Sequence, residues 1–326
     1  MIARLGAAAG AVWLYGGSAT AGAITGTIAG FMSATVRTAT PLAFAALGET
    51  LCEQSGVINI GLEGVIIAGA FASLVGAGAA GLASGVALAA VAGAAIAALF
   101  GLFAVILRTD QIIAGTAVTL FGLGLTGTLY HWLYGSAGAA LSIPTMRASP
   151  LPGLARIPVI GQALFDQSAL TYAVYVIAPA LWWWTYRTHA GLALRAVGEN
   201  PDAARAAGVA PRIVQWWAVI LGGVLGGIGG ATLVLAQAGT FAEGMSAGRG
   251  FIAIAVVALG RWHPLGAAAA ALIFGAAIAL QFLFQSMGWP APYQLFLALP
   301  YVVTLFVLAG AARGRRAPAA LGRRDL

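Results

Sequence analysis

Residues 83–107, ASGVALAAVAGAAIAALFGLFAVIL, carry no charged side chain, and the runs 58–77, 213–236 and 265–286 carry at most one each. A continuous apolar run of about 20 residues is what one helix needs to cross a hydrocarbon core about 30 Å thick. Only helices and closed β-barrels satisfy their own backbone in lipid. A barrel would show segments of roughly ten residues alternating in polarity, whereas these runs are unbroken. The chain is therefore expected to be an all-α polytopic membrane protein. Composition agrees: 61% of the 326 residues are hydrophobic and 8% charged, with mean hydropathy +0.94. A soluble fold, at about 25% charged residues, could not be surfaced from this set. The 46 glycines suit closely packed membrane helices, where small residues let backbones approach.

Apolar windows set against breakers predict about ten spans, near 7–30, 33–51, 58–77, 83–107, 111–134, 168–186, 213–236, 250–261, 265–286 and 292–310. The eighth is too short to cross comfortably. The run from 5 to 31 exceeds the core of about 7–15 residues in a cleaved signal, so it is expected to remain as the first helix. Residues 1–310 form the transmembrane domain, and 311–326 a basic tail that touches anionic headgroups and carries no fold. With both termini cytoplasmic, twelve of the sixteen arginines fall inside, and Arg37, Arg147, Arg156 and Arg249 fall outside. That is a positive-inside bias. The connection 135–166 holds four prolines and is external, with 157–165 a short amphipathic piece on the membrane surface.

Several chemistries drop out. A single cysteine, Cys52, excludes an intramolecular disulfide and a Cys-cluster metal site. His131 sits with Tyr130 and Trp132 in an aromatic belt, and His189 and His263 lie in separate loops, so no metal is expected. The net charge of +7 follows membrane topology rather than a nucleic-acid face. A chain without lysine holds no Walker A motif, so it binds no ATP that way and needs no cofactor of its own. GMSAG, 244–248, lacks the strand–turn–helix context of a nucleophile elbow. Nothing here indicates an enzyme.

One stretch in the middle is water-soluble in character: AVGENPDAARAAGVAP, 196–211. Asn200 suits an N-cap, Pro201 the first helical position and Asp202 the positive end of the helix dipole. Gly208 suits the C-terminal stop, with Pro211 beyond. The expected product is a capped helix of about two turns between two spans. Its Ala203, Ala204, Ala206 and Ala207 are small enough to enter a groove on another protein. A tidy cytoplasmic loop would show the same composition.

DAARAAG, 202–208, resembles the EAA-x-x-x-G loop of ABC importer permeases, with Asp202 in the Glu place. ALGETLCEQSGVINIGLEGVIIAGAF, 46–71, resembles the E-x-x-x-E-x-x-G-V-I-N-x-G-x-E-G signature of the nucleoside-type branch. IPVIGQALFDQ, 157–167, and AGRGFIAIAVVALGRWHPLGA, 247–267, resemble that branch's external and late membrane segments, with His263 where Asn is usual. The resemblance spans about 31–310 and identifies the chain as similar to the branched-chain and ribose-type permeases, nearest the nucleoside and simple-sugar branch.

The resemblance implies a coupling helix within 199–209 that docks on a cytoplasmic ABC ATPase, carried by Gly198, Glu199, Asn200, Pro201, Asp202, Ala203, Ala204 and Gly208. It also implies a second, related permease subunit (a heterodimer or a homodimer), an extracytoplasmic substrate-binding protein, and alternating access in the inner membrane for a nucleoside, purine or simple sugar. An ion-coupled secondary transporter is the alternative. It would require intramembrane ionisable residues and internal repeats, and no convincing repeat is present.

Polar residues within apolar runs are functional candidates. Glu49 and Glu53 lie near an interface. Asn59 and Glu63, in a segment broken by Gly56, Gly61 and Gly64, serve either as a lock on the broken backbone or as pathway residues. Thr119 and Gln237 are further pathway candidates. Gln111, Thr116 and Thr126 are expected to be structural, and Glu243 to face a ligand or solvent.

Overall fold

The computed structural model describes residues 2–135, 142–286 and 317–323, with isolated positions between 294 and 306. The expected last span, 292–310, falls mostly outside them. Helix α1, Ile2–Gln54, covers both of the first two expected spans. This corrects the expected turn at 31–32. Residues 30–33, Gly-Phe-Met-Ser, offer neither a proline nor a turn pair, so nothing ends the helix. At 1.5 Å per residue its 53 residues extend about 80 Å. Pro41 is tolerated inside it.

Then follow α2 (Leu62–Ala80), α3 (Leu82–Gly101, prolonged by a π-helical turn Leu102–Ile106) and α4 (Gln111–Tyr134). A connection carries a two-residue antiparallel pair, Ser149–Pro150 with Asp166–Gln167, and the short α5 (Ile160–Phe165). Gly161 and Ala163 are buried and α5 packs on α1, so this piece belongs to the protein body and does not lie free on a membrane surface. Helices α6 (Ala169–Arg187), α7 (His189–Glu199), α8 (Pro201–Ala206) and α9 (Pro211–Leu233, prolonged by a π-helical turn Val234–Ala238) come next. They are followed by α10 (Arg249–Leu259) and α11 (Pro264–Ser286). Among the described residues, five helices are long and apolar enough to cross a membrane, and α10 is a shorter apolar one. The chain is an all-α polytopic membrane protein.

Helix α9 is the hub. Its LGGVLGGIGG run lies against α1, α2 and α3 at backbone contact. A Cβ on Gly227 would stand 2.2 Å from the Ala89 carbonyl oxygen, and one on Gly230 only 2.0 Å from that of Ile66. From the other side, a Cβ on Gly48 would meet the Gly222 oxygen at 2.6 Å. Real Cβ atoms do not approach so closely, so these glycines set the interhelical distances.

The shortness of α10 also has a local cause. Its first turn begins at the carboxylate of Glu63, in the first turn of α2, so it starts inside the bundle. It ends at a turn where Arg261 and Trp262 both adopt positive φ, 57° and 54°. The last turn of α1 grips that turn: the Trp262 indole N–H donates to the Glu53 carboxylate, and the Gln54 amide donates to the Trp262 carbonyl.

The tail departs from expectation as well. Residues 317–323 fold back on the body, and Ala320 is 0% exposed. The Ala320 N–H donates to the Gly198 carbonyl at 2.9 Å, and the Gly322 N–H to the Gly56 carbonyl at 3.0 Å.

Candidate functional site

Three places concentrate polar groups. The first is the end of the bundle bearing α8. The Asn200 side-chain oxygen accepts from the Ala203 N–H at 3.0 Å, Pro201 occupies the first turn, and Asp202 pairs with Arg205 at 2.7 Å. Gly208, at φ +84°, closes the helix, with the Val209 N–H donating to the Ala204 carbonyl. Asp202, Ala203, Arg205, Ala206, Ala207 and Gly208 are exposed, whereas Pro201 is buried and Ala204 is 4% exposed. The small outward face is thus Ala203, Ala206 and Ala207; Ala204 faces the chain's own body. Gly198 is built in too, because a Cβ there would lie 2.1 Å from the Gln54 carbonyl oxygen. Glu199 lines a neighbouring cavity of about 630 Å³ with Gln54, Tyr186, Arg195 and Arg261, closed on one side by residues 317–319. The Arg195 guanidinium lies over the Tyr186 ring, 4.7 Å from its centroid.

The second place is the break between α1 and α2, residues 55–61. Its backbone groups find side-chain partners, as buried backbone in an apolar setting must. The Asn59 N–H donates to Glu49 Oε1 at 2.8 Å, the Ile58 N–H to Gln111 Oε1 at 2.9 Å, and Thr119 Oγ1 to the Ile60 carbonyl at 3.2 Å. Glu63 accepts from the Gly248 N–H at 2.8 Å and the Gly250 N–H at 2.7 Å, capping the positive end of α10. Asn59 and Glu63 share no hydrogen-bond partner among the described residues. Asn59 precedes α2, and its fully buried side chain has no hydrogen-bond partner among the described residues.

The third place is a polar cavity of about 220 Å³ at the opposite end of the bundle from α8, where α1, the start of α6 and the π-helical turn of α9 meet. Thr40, Gln167, Ser168, Thr171, Thr232 and Gln237 line it, with Arg37 and Asp166 supplying one charge of each sign. Thr40 and Thr171 also line an apolar groove of about 380 Å³ that continues between α1, α6 and α11 to Leu265. Of the four pathway candidates only Gln237 lines the polar cavity; Asn59, Glu63 and Thr119 gather at the break. Gln167, Ser168, Thr171 and Thr40 were not singled out from sequence. Their signal was a polar triplet, Asp-Gln-Ser, ahead of a span, and a threonine beside an intrahelical proline. Glu243, expected toward ligand or solvent, pairs with His131 at 2.7 Å.

Comparison with known proteins places these features in a family. The model of the branched-chain amino acid transport system / permease component family matches residues 31–308. The chain is 36% identical over 302 residues to the guanosine ABC transporter permease protein NupQ of Bacillus subtilis, covering 89% of this chain and 94% of that one. It is 36% identical over 280 residues to the nucleoside ABC transporter permease protein NupC of Lactococcus lactis, covering 83% and 88%. It is 35% identical over 266 residues to the putative glucose ABC transporter permease protein TsgC13 of Haloferax volcanii, covering 80% and 79%. No solved structure matches. A bundle of apolar helices that exposes one capped polar helix, matched along almost its whole length by transport permeases, belongs to the branched-chain amino acid transport system permease family.

Proposed function

We propose that this chain is the membrane permease subunit of an ATP-driven importer of nucleosides, with free purines or simple sugars as the neighbouring substrate classes. The observation that carries the reading is α8. It is a helix with a side-chain cap and a proline start, exposed along Ala203, Ala206 and Ala207, and held between the short α7 and the long apolar α9. Such an element suits insertion into a cleft of a cytoplasmic ATPase, and α7 and α9 on either side can carry the displacement into the bundle. The relatives that act on guanosine, nucleosides and glucose favour a neutral, hydroxyl-bearing solute.

In this reading α8 and the tail face the cytoplasm and the polar cavity faces outward. Counting residue 4 on the far side, as a single crossing by α1 would have it, still leaves the arginine excess at the α8 end. A second, related permease completes the channel, an extracytoplasmic binding protein delivers the solute, and nucleotide binding by the ATPase switches access between the two faces. Ion coupling is disfavoured because the sequence shows no convincing internal repeat and the relatives are ABC transporter permeases.

Reconstitution of the chain with its cognate ATPase, second permease and binding protein in proteoliposomes tests this. ATP-dependent uptake of radiolabelled guanosine, insensitive to ionophores, is the expected result. Uptake by the permease alone under an imposed ion gradient would overturn it.

A further inference from the structure

The hydroxyl groups around the polar cavity have a forced direction. Each hydroxyl owns one hydrogen. Thr40 Oγ1 lies 2.8 Å from the Val36 carbonyl, which can only accept, so its hydrogen points there. In the 3.1 Å contact between Thr40 and Thr171, Thr171 is therefore the donor, and in the 3.2 Å contact between Ser168 and Thr171 the donor is Ser168. Thr232 likewise spends its hydrogen on the Gly229 carbonyl at 2.6 Å.

The Gln167 amide is oriented by the same logic. Its nitrogen must face the Ala163 carbonyl, 2.7 Å away, and it also donates to Ser33 Oγ at 3.1 Å. Gln167 Oε1 is thereby turned away, and it has no hydrogen-bond partner among the described residues although the residue is 1% exposed. Ser168 stands at the N-cap of α6 without giving its oxygen to that helix. Two of the residues lining the cavity thus keep acceptors that no described residue uses, Gln167 Oε1 and Ser168 Oγ, while Thr232, also in the lining, is fully buried. A buried acceptor without a donor is costly, and a solute bearing donors relieves it.

The charges limit the ligand further, since Arg37 and Asp166 cancel. About 220 Å³ is below the roughly 300–1,000 Å³ of sites for drug-sized ligands, so the cavity holds one ring. We infer that this cavity between α1, α6 and α9 is a binding site for the hydroxylated ring of a neutral solute, held by hydroxyl hydrogens donated to Gln167 and Ser168. The inference rests on the importer reading above and names where that importer meets its cargo. It also removes Asn59, Glu63 and Thr119 from solute contact at this site.

The test uses the full reconstituted complex, with concentration-dependent uptake of guanosine and of its 2′,3′-dideoxy analogue. Ser168→Ala is expected to raise the half-saturating guanosine concentration about three- to ten-fold, the value of one hydrogen bond, and Thr171→Val, which removes the acceptor that holds the Ser168 hydrogen, should act through Ser168 in the same direction. The dideoxy analogue, which lacks the 2′ and 3′ donors, should move little. Thr171→Ser should return the wild-type value, and co-purification with the ATPase shows that each variant assembles. Guanosine uptake that is unchanged in assembled Ser168→Ala and Thr171→Val complexes, or an equal rise for both solutes, overturns the site while leaving the importer standing. A wild-type complex that takes up neither guanosine, ribose nor glucose overturns the functional reading, and the ligand class with it.

Discussion

The side-chain amide of Gln237 donates a 3.0 Å hydrogen bond to the carbonyl of Arg37. That carbonyl is the one Pro41 leaves without a helical partner, because proline has no N–H to return to the residue four positions before it. A polar residue in one membrane helix thus repairs the break that a proline makes in another. Glu63 and Thr119 act in the same way, on the start of α10 and on the carbonyl of Ile60. Three of the four candidates chosen from sequence as pathway residues hold backbone in place.

Gln237→Leu should therefore leave the Arg37 carbonyl unpaired and lower the stability of the purified permease by about 0.5–1.5 kcal/mol, the net value of an ordinary hydrogen bond. Thermal unfolding in detergent is the measurement. Gln237→Glu, which accepts but does not donate, should be no better than Leu. Full stability in either variant would show that the contact carries nothing.

Glu63→Ala orphans the buried Gly250 N–H, at about 1–3 kcal/mol, and the half-buried Gly248 N–H besides. The prediction is a clear drop in stability, with faster hydrogen exchange in α10 and in the 244–250 turn before it. Glu63→Gln keeps one acceptor and presents an opposing amine to the other donor, so it should fall between the two. Wild-type exchange in Glu63→Ala would rule out the capping role.

The exposed face of α8 separates docking from folding. Ala206→Arg adds bulk to the outward face and should abolish co-purification with the ATPase while membrane insertion is retained, at a stability cost within about 0.5 kcal/mol. Ala204→Arg forces a charge into a buried position and should disturb the α7–α9 connection itself. Gly208→Val meets a positive φ that β-branched residues avoid. ATPase binding that survives Ala206→Arg would leave α8 an ordinary loop.

Ending the chain after residue 316 removes the bonds to Gly198 and Gly56. Because Gly198 lies just ahead of Asn200, the expected outcome is faster limited proteolysis within 199–210. The stability loss should be about 1–3 kcal/mol, two ordinary hydrogen bonds at about 0.5–1.5 each. An unchanged proteolysis rate would make the docked tail a passenger.

Accessibility labelling distinguishes the orientation. A reporter near Gly208 should lie in the cytoplasm and one near Gly153 outside. A reporter at residue 2 should lie on the side opposite Gly208 if α1 crosses once as a single helix. Residue 2 on the cytoplasmic side would restore two separate spans before residue 54.

The membrane class, the capped helix and the family were legible in the sequence because each depends on local pattern: run length, an Asn-Pro start and a fixed motif spacing. The continuity of α1 was not, since Gly-Phe-Met-Ser at 30–33 fits a turn or a helix equally well. Nor was the polar cavity. Thr40, Gln167 and Thr232 sit far apart in the chain, and their shared acceptor character emerges only from hydrogen bonds to Val36, Ala163 and Gly229. The docked tail was hidden because its anchors are backbone groups, which no side-chain pattern reveals.

Helices α1, α2, α3 and α9 touch through bare backbone at Gly48, Gly69, Gly93, Gly222, Gly227 and Gly230, where there is little side chain to change rotamer or slip past. Such a quartet has few soft degrees of freedom, so a displacement entering at the α7–α9 connection would reach its other end nearly undiminished. Compliance then has to reside elsewhere, in α6, whose contacts with α1 and α11 run through side chains such as Thr171 and Val174. The permease is best pictured as a stiff strut with a movable plate on its flank, and drugs or antibodies that arrest it should be sought against that plate rather than the strut.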